Sequence, residues 1–447
     1  MKNKHFLMVT LGCFRNEVES DMVRTALGAL GLEETRSLEA ADIVVINTCG
    51  FISEACDETI DTVLELDALG SKLNRRPPIL AVGCMGQRYG ASLMQEMPEL
   101  DGVLGTNWVA GLETAVRELM QGRRYEASPL APCTTGITRN IDSSGGATLF
   151  VRAADGCDRG CHFCAIPSIR GAYSSRPITD VYDEIKRLSG GRDREVVLLA
   201  QDLSHYGNDV GSRNGLVDLV RRITSIPELR WLRLLYLQPE GVTPELIDEV
   251  ASNFSICNYF DIPFQHASAS VLRRMGRPGE AGSYLELLKS IRERIPEAAI
   301  RTTIMVGYPG ETDHDFEELI SFMEVARFDW LGAFIFSAEE GTAAALLPDQ
   351  VPYQLSLSRY NRVLEVQDTV EGSIIAAFQG RKLEVVVDAI SENEIYDFVG
   401  RSYREAPEVD GVIYLRRSGA ESRRMEPGAF TQALITGREG LDLVGEI

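Results

Sequence analysis

The stretch Leu149-Phe150-Val151-Arg152-Ala153, followed by Gly156-Cys157-Asp158-Arg159-Gly160-Cys161-His162-Phe163-Cys164, decides how this chain is read. The first part is an apolar run of strand length, and the cysteine loop begins just past its C-terminal end. Five similar runs follow at 195–200, 231–237, 259–263, 300–306 and 330–336. Helical patterns separate them at 179–189, 217–224, 245–253, 283–294 and 313–326. Six β/α units over about 225 residues predict an open (β/α)6 barrel, with one amphipathic helix at 356–377 leading out of it.

Working outward, residues 1–125 alternate short apolar runs at 6–11, 43–47, 79–82 and 102–104 with helical stretches at 17–30, 53–69, 87–97 and 112–120. That alternation predicts a parallel, doubly wound α/β domain. A polar stretch bearing Pro, Gly and Ser at 128–146 reads as a connection. Past Gly380 the pattern changes to five short strands at 383–388, 396–403, 412–416, 429–435 and 441–444. Such spacing predicts a small antiparallel β-barrel of the OB-like kind. The expected division is a first domain at 1–125, a linker at 126–142, the large barrel at 143–373 and the small one at 374–447.

Composition narrows the function. The 447 residues are 44% apolar and 25% charged, which rules out a disordered or fibrous chain. With 45 Lys and Arg against 66 Asp and Glu the formal charge is −21, a poor balance for non-specific binding of nucleic acid or anionic membrane. No run approaches the ~20 apolar residues that span a bilayer. The short run at 6–11 is followed at once by Arg15, Glu17, Glu19 and Asp21, so it reads as a strand rather than a secretion signal. A cytoplasmic protein with reduced thiols is expected. Nine cysteines are odd in number, which excludes a fully paired disulfide framework.

Cys157, Cys161 and Cys164 have C-x₃-C-x₂-C spacing, which wraps three thiolates around one corner of a [4Fe–4S] cubane and leaves one iron open. An open iron can chelate the amino and carboxylate groups of S-adenosylmethionine. The alternative is a zinc site with a distant fourth ligand, although His162 gives no usual zinc spacing. Cys13, Cys49 and Cys84 have 35 and then 34 residues between them. Each stands where a predicted strand ends and a helix begins. In a parallel sheet those ends share one edge, where open α/β folds place ligands and helix N-termini favour thiolates. The alternative is three small core residues. Cys56, Cys133 and Cys257 fit neither pattern and read as structural.

The triad Cys157, Cys161 and Cys164 resembles the signature of radical S-adenosylmethionine (SAM) enzymes. Taken with Leu11-Gly12-Cys13, Asn47-Thr48-Cys49-Gly50-Phe51 and Gly83-Cys84-Met85, the chain resembles the methylthiotransferase family over nearly its whole length. That resemblance implies a flavodoxin-like N-terminal domain, a radical SAM barrel, a C-terminal TRAM barrel and two [4Fe–4S] clusters, one on each triad. Ala200-Gln201-Asp202, Asp261-Ile262-Pro263-Phe264-Gln265-His266 and Ser337-Ala338-Glu339-Glu340-Gly341-Thr342 are most similar to one branch of the family. Gly400-Arg401-Ser402 and Ala406-Pro407-Glu408-Val409-Asp410-Gly411 point to the same branch. It methylthiolates the β-carbon of an aspartate in small-subunit ribosomal protein S-twelve. One stretch departs: Phe14-Arg15 follow Cys13 where the family usually has Pro-Lys, with the thiol retained.

An aspartate β C–H bond is out of reach of ordinary acid–base catalysis, which contributes ~10²–10⁴-fold, so a cofactor must do the work. The resemblance implies that the reduced cluster on Cys157, Cys161 and Cys164 cleaves SAM to a 5′-deoxyadenosyl radical that takes the β-hydrogen. The cluster on Cys13, Cys49 and Cys84 would carry the sulfur, with a second SAM supplying the methyl group. Expected SAM contacts are Phe163, Ile166 and Pro167 beside the adenine, and Gln201 and Asp202 at the methionine amino group. Gln265 and His266 are expected at the ribose, and Gly307 where the backbone approaches the cofactor. Ordinary packing, a structural histidine and a plain turn are the respective alternatives. A reductant protein such as flavodoxin or ferredoxin is implied, with a sulfur donor the residues do not name.

Two rival functions stand beside this one. A tRNA adenosine methylthiotransferase of the same family would need an RNA-gripping domain with a basic footprint. Residues 1–125 carry 12 basic and 18 acidic side chains, and residues 374–447 carry 9 and 13. Neither domain is basic, and an acidic chain complements a basic ribosomal protein, although Arg416-Arg417 and Arg423-Arg424 are local basic pairs. The other rival, a non-enzymatic iron–sulfur electron carrier or RNA-binding scaffold, needs neither open irons nor so large a barrel.

Overall fold

The computed structural model describes residues 4–73, 75–129, 139–140, 146–418 and 425–447. Cys133, most of the expected linker and Arg423-Arg424 lie outside the described residues. Apolar runs bounded by turns become strands wherever they were expected, and their partners set three layers of architecture.

The N-terminal domain is a six-stranded parallel sheet in the order Leu32–Glu34, Lys4–Thr10, Ile43–Thr48, Ile79–Gly83, Gly102–Leu104, Tyr125–Ala127. Its two middle strands, Ile43–Thr48 and Ile79–Gly83, are buried at every residue, as strands covered by helices on both faces must be. The two edge strands are absent from the sequence reading. Each has three residues and leaves part of them exposed, so neither carries a hydrophobic period.

The central domain pairs Thr148–Arg152, Arg194–Leu199 and Leu229–Leu234 in one parallel sheet, and Tyr259–Asp261, Ala299–Val306 and Trp330–Ile335 in another. A single bridge between Leu232 and Ile256 joins the halves, and among the described residues the last strand does not pair with the first. The barrel is therefore open, with Tyr353–Ala376 leading out as one helix. Short helices at Ile166–Arg170 and Ala269–Arg274 went unseen in the sequence, being too short to show a helical period.

The C-terminal domain is a closed five-stranded barrel, because Lys382–Ile390 pairs with both Phe398–Arg401 and Phe430–Glu439. One pairing differs from the antiparallel expectation: Ile413–Arg416 and Asp442–Glu446 run parallel. Alternation along a strand marks its buried face and is silent on the direction of its neighbour. This small barrel packs against the starts of the large barrel's strands, touching Glu195, Trp231, Tyr259 and Trp330. The stretch 400–411 supplies most of the ties. Arg401 meets Glu195 at 2.8 Å, Arg404 meets Asp329 at 2.9 Å, and Asp410 accepts from Tyr259 at 2.6 Å. Among the described residues no helix is long and apolar enough to cross a membrane.

Candidate active site

Both cysteine triads lie at C-terminal strand ends, and the local chain explains why. Gly156 turns the backbone after the first barrel strand at φ +77°, and a Cβ there would meet the Ala172 carbonyl oxygen at 2.1 Å. The loop is then pinned by its own amides: Cys157 N donates to Gly171 O at 3.1 Å and His162 N to Met275 O at 2.9 Å. His162 Nδ1 is 2.7 Å from Arg274 O, so this ring nitrogen is spent on holding the loop. Arg277 reaches over from the fourth β/α unit, with Nη1 3.7 Å from Cys161 Sγ and Nη2 2.6 Å from Gln238 Oε1. Burial pushes the Cys164 thiol up to about 12 and raises Cys157 as well.

The second triad is assembled by the parallel register. Thr10 lies opposite Asn47 and Thr48 opposite Gly83, which brings the three strand ends level. Their closeness shows in the glycines between them: a Cβ on Gly12 would stand 2.8 Å from Cys49 Cβ, and one on Gly50 2.7 Å from Met85 Cα. Asn16 ties the loops together, donating from Nδ2 to Leu11 O at 2.6 Å and accepting at its backbone oxygen from Asn47 Nδ2 at 2.7 Å. Cys13 is exposed and caps the helix Phe14–Ala29, Cys49 is half-buried, and Cys84 is buried at the start of the helix Cys84–Glu96. Burial pushes the Cys84 thiol up to about 11 against the pull of the Arg170 guanidinium, whose Nη2 is 3.0 Å away.

The two triads lie next to each other where the first domain meets the large barrel. The helix that follows Cys164 delivers Ile169, which packs with Ala165 directly on Cys84. It also delivers Arg170, which donates to both oxygens of Glu19 at 3.0 and 3.3 Å and lies 3.6 Å from Asp155. From the other side, Phe14 stacks on Phe150 of the first barrel strand at 4.9 Å, and the Arg15 guanidinium carbon lies 4.2 Å over the Tyr236 ring. Arg88 closes the rim by donating to Glu339 at 3.1 Å. These cross-domain partners had no signal in the sequence, since Arg170 and Glu19 are 151 positions apart.

The donor sets suit a cluster better than a single ion. A tetrahedral zinc bonded at about 2.3 Å draws its sulfurs to about 3.8 Å from one another. Among the described residues the one trio of candidate ligand atoms within 4.8 Å of each other is His314, Asp315 and Glu318. Asp315 there is engaged by Thr312, Ser268 and Ser270 at a helix N-cap. Three thiols held farther apart, with arginine beside each triad, match the larger cubane and its negative charge.

The remaining expected contacts divide. Gln201 is half-buried, donates to Asp155 at 3.0 Å and has its Oε1 shielded without a partner. Asp202 is buried and already accepts from Arg159 Nε at 2.5 Å and Ser204 at 2.5 Å. Gln265 adopts φ +68° beside the fifth strand. His266 is fully buried, accepts from Ser268 N at Nδ1, and is held neutral because burial lowers its pKa to about 3. A Cβ on Gly307 would stand 2.2 Å from Ser356 Oγ, so a helix fills the space there. Phe163 packs on the barrel core, and Ile166 and Pro167 open the short helix. Cys56 and Cys257 are buried, and each packs in an apolar cluster.

Comparison with known proteins fits this arrangement. Residues 151–323 match the Radical SAM superfamily, residues 5–105 a family described as Uncharacterized protein family UPF0004, and residues 380–447 the TRAM domain. The chain is 39% identical over 440 residues to the ribosomal protein uS12 methylthiotransferase RimO of Moorella thermoacetica, with 98% of each chain covered. The chain belongs to the RimO family. The RimO of Geobacter sulfurreducens is 37% identical, again with 98% of each chain covered. The radical SAM methyltransferase TsrM from Kitasatospora setae shares the fold, with a TM-score of 0.54 at 15% identity over 74% of this chain and 72% of that one. The RimO-family chain is thus a radical SAM methylthiotransferase. Its superfamily implies a [4Fe–4S] cluster and SAM, and its N-terminal domain implies a second cluster.

Proposed function

We propose that this chain methylthiolates the β-carbon of an aspartate in ribosomal protein uS12. The observation that supports this reading is the meeting of two cysteine triads at the boundary between the first domain and the large barrel, in a chain aligned end to end with uS12 methylthiotransferases. Cys157, Cys161 and Cys164 would hold one [4Fe–4S] cluster, and Cys13, Cys49 and Cys84 the other. When bound, the clusters and SAM supply the radical chemistry and the sulfur that no side chain provides.

The chain's own residues prepare the place. Arg277 beside Cys161 and Arg170 beside Cys84 offset the charge of deprotonated thiolates in a buried setting. The Phe14–Phe150 stack and Ile169 keep water out of that boundary. Gln201, through its shielded Oε1, is free to accept a hydrogen bond from a SAM amino group, whereas Asp202 would have to exchange Arg159 for it. A reductant protein such as flavodoxin or ferredoxin would complete the reaction in the cytoplasm.

Anaerobic reconstitution is expected to load about eight irons per chain, and changing Cys13, Cys49 and Cys84 together to Ala is expected to remove about half. Offered uS12 and unmodified tRNA side by side, the loaded protein is expected to add methylthio mass to the protein. Mass on tRNA alone, or unchanged iron in the triple variant, overturns the reading.

A further inference from the structure

Arg15 differs from most of the arginines that turn inward. Arg170, Arg233, Arg301, Arg401 and Arg404 each meet a carboxylate. Arg15 makes no hydrogen bond or ion pair among the described residues, and its Nε is shielded from water without a partner. Its guanidinium carbon lies over the Tyr236 ring, 4.2 Å from the centroid. That ring is itself fixed: Tyr236 adopts φ +59°, an uncommon state for a bulky residue, with its amide donating to Asp261 Oδ2 at 2.9 Å and its carbonyl accepting from Leu203 N at 3.0 Å. Strain held by such partners marks a position the fold maintains for use.

Its location is as telling. Arg15 is two residues past Cys13, and its charge also acts on Cys164 of the other triad. The resident carboxylate that acts on it, Asp155, is already engaged by Arg170, Arg152 and Gln201. A cation between the two triads therefore has one aromatic face covered and its hydrogen-bonding edge unspent. Planar guanidinium is matched to carboxylate, which it grips through two parallel hydrogen bonds.

We propose that Arg15 anchors the side-chain carboxylate of the aspartate being modified, which holds the β-carbon one bond away, between the triads. This rests on the uS12 reading above. It gives that reading a source of selectivity: an asparagine lacks the charge, and a nucleobase lacks the carboxylate.

The test uses the reconstituted holoenzyme and fluorescently labelled uS12, with the modified aspartate located by mass spectrometry and a second uS12 carrying Asp→Asn there. Binding is read by anisotropy, SAM affinity by equilibrium dialysis, and iron by colorimetry. The wild type is expected to prefer the aspartate form by ~30-fold, about 2 kcal/mol, in line with a charge-assisted hydrogen bond. R15Q is expected to lose most of that preference at normal iron content, and R15K to keep part of it. An aspartate preference in R15Q equal to that of the wild type overturns the proposal. So does a loss confined to SAM affinity, which would assign the carboxylate to the cofactor. Iron falling in both variants overturns it as well, since Arg15 would then be holding the cluster loop. If the wild type neither binds nor modifies uS12, the function reading fails and this inference with it; if it modifies uS12 with an unaltered R15Q preference, only this inference fails.

Discussion

Replacing Glu195 by glutamine removes one charge from the lock between the large and small barrels while keeping its shape. Glu195 is 0% exposed; its Oε1 accepts from Arg233 Nε at 2.7 Å, and its Oε2 from Arg401 Nη2 and Thr148 Oγ1, both at 2.8 Å. Burial alone would raise its pKa, but Arg401 and Arg233 outweigh burial and hold it down at about 2, against 4.5. At about 1.4 kcal/mol per pH unit, this favours the folded, ionised form by about 3 kcal/mol. Breaking one member of a buried pair costs a similar ~3–5 kcal/mol. With a urea slope of about 3 kcal/mol/M, the E195Q midpoint is expected to fall by about 1 M at pH 7. Trp231 and Trp330 line the interface, so their emission reports its opening. Because the folded pKa lies below the unfolded one, the stabilisation is complete above about pH 4.5 and is lost as the pH falls toward 2. The gap between wild type and E195Q should close over that window. Equal midpoints at pH 7, or a gap that stays constant down to pH 2.5, refutes the reasoning.

Two further outcomes follow from single residues. Gly156→Ala places a methyl group against the Ala172 carbonyl at a φ that disfavours it, so reconstituted iron should fall by about half; full iron content would show that the loop tolerates the change. His266 has a folded pKa of about 3, below its unfolded value, so its contribution is present above about pH 6.5 and is lost on acidification. By pH 5 that loss is about 2 kcal/mol, and His266→Gln should show a correspondingly flatter decline of the denaturant midpoint between pH 8 and pH 5. Parallel declines would show the ring to be protonated in the folded state.

The barrel strands and the loop bearing Cys157, Cys161 and Cys164 were legible because each is a local signal: a buried strand is an apolar run, and three cysteines on one loop are a spacing. The second triad was legible only through the fold, since parallel strands end together and Thr10, Asn47 and Val82 align. What the sequence concealed is long-range charge. Arg170 finds Glu19 across 151 positions, and Arg401 finds Glu195 across 206. No period or motif announces such a pair, because either residue alone looks like an ordinary surface charge. Gly307 combines both kinds of demand: its φ of +75° is a local one, and the closeness of Ser356 on a distant helix is one that no local pattern announces. The departure Phe14-Arg15 carries no structural signal in the sequence. In the fold both residues dock the first domain onto the barrel.

The small barrel's attachment at the strand starts sets a length scale for whatever this protein handles. The strand Ala299–Val306 rises about 26 Å, or about 20 Å along the axis of a tilted barrel, from the end that the small barrel covers to the end where the cysteines gather. A molecule touching both ends at once must reach around that distance. A tripeptide or a lone nucleoside is too short to do so, whereas a whole ribosomal protein or an assembled particle is not. Shortened substrates would therefore keep the chemistry within reach while forfeiting every contact with the far module, much as a key cut off behind its teeth still enters a lock but offers nothing to turn.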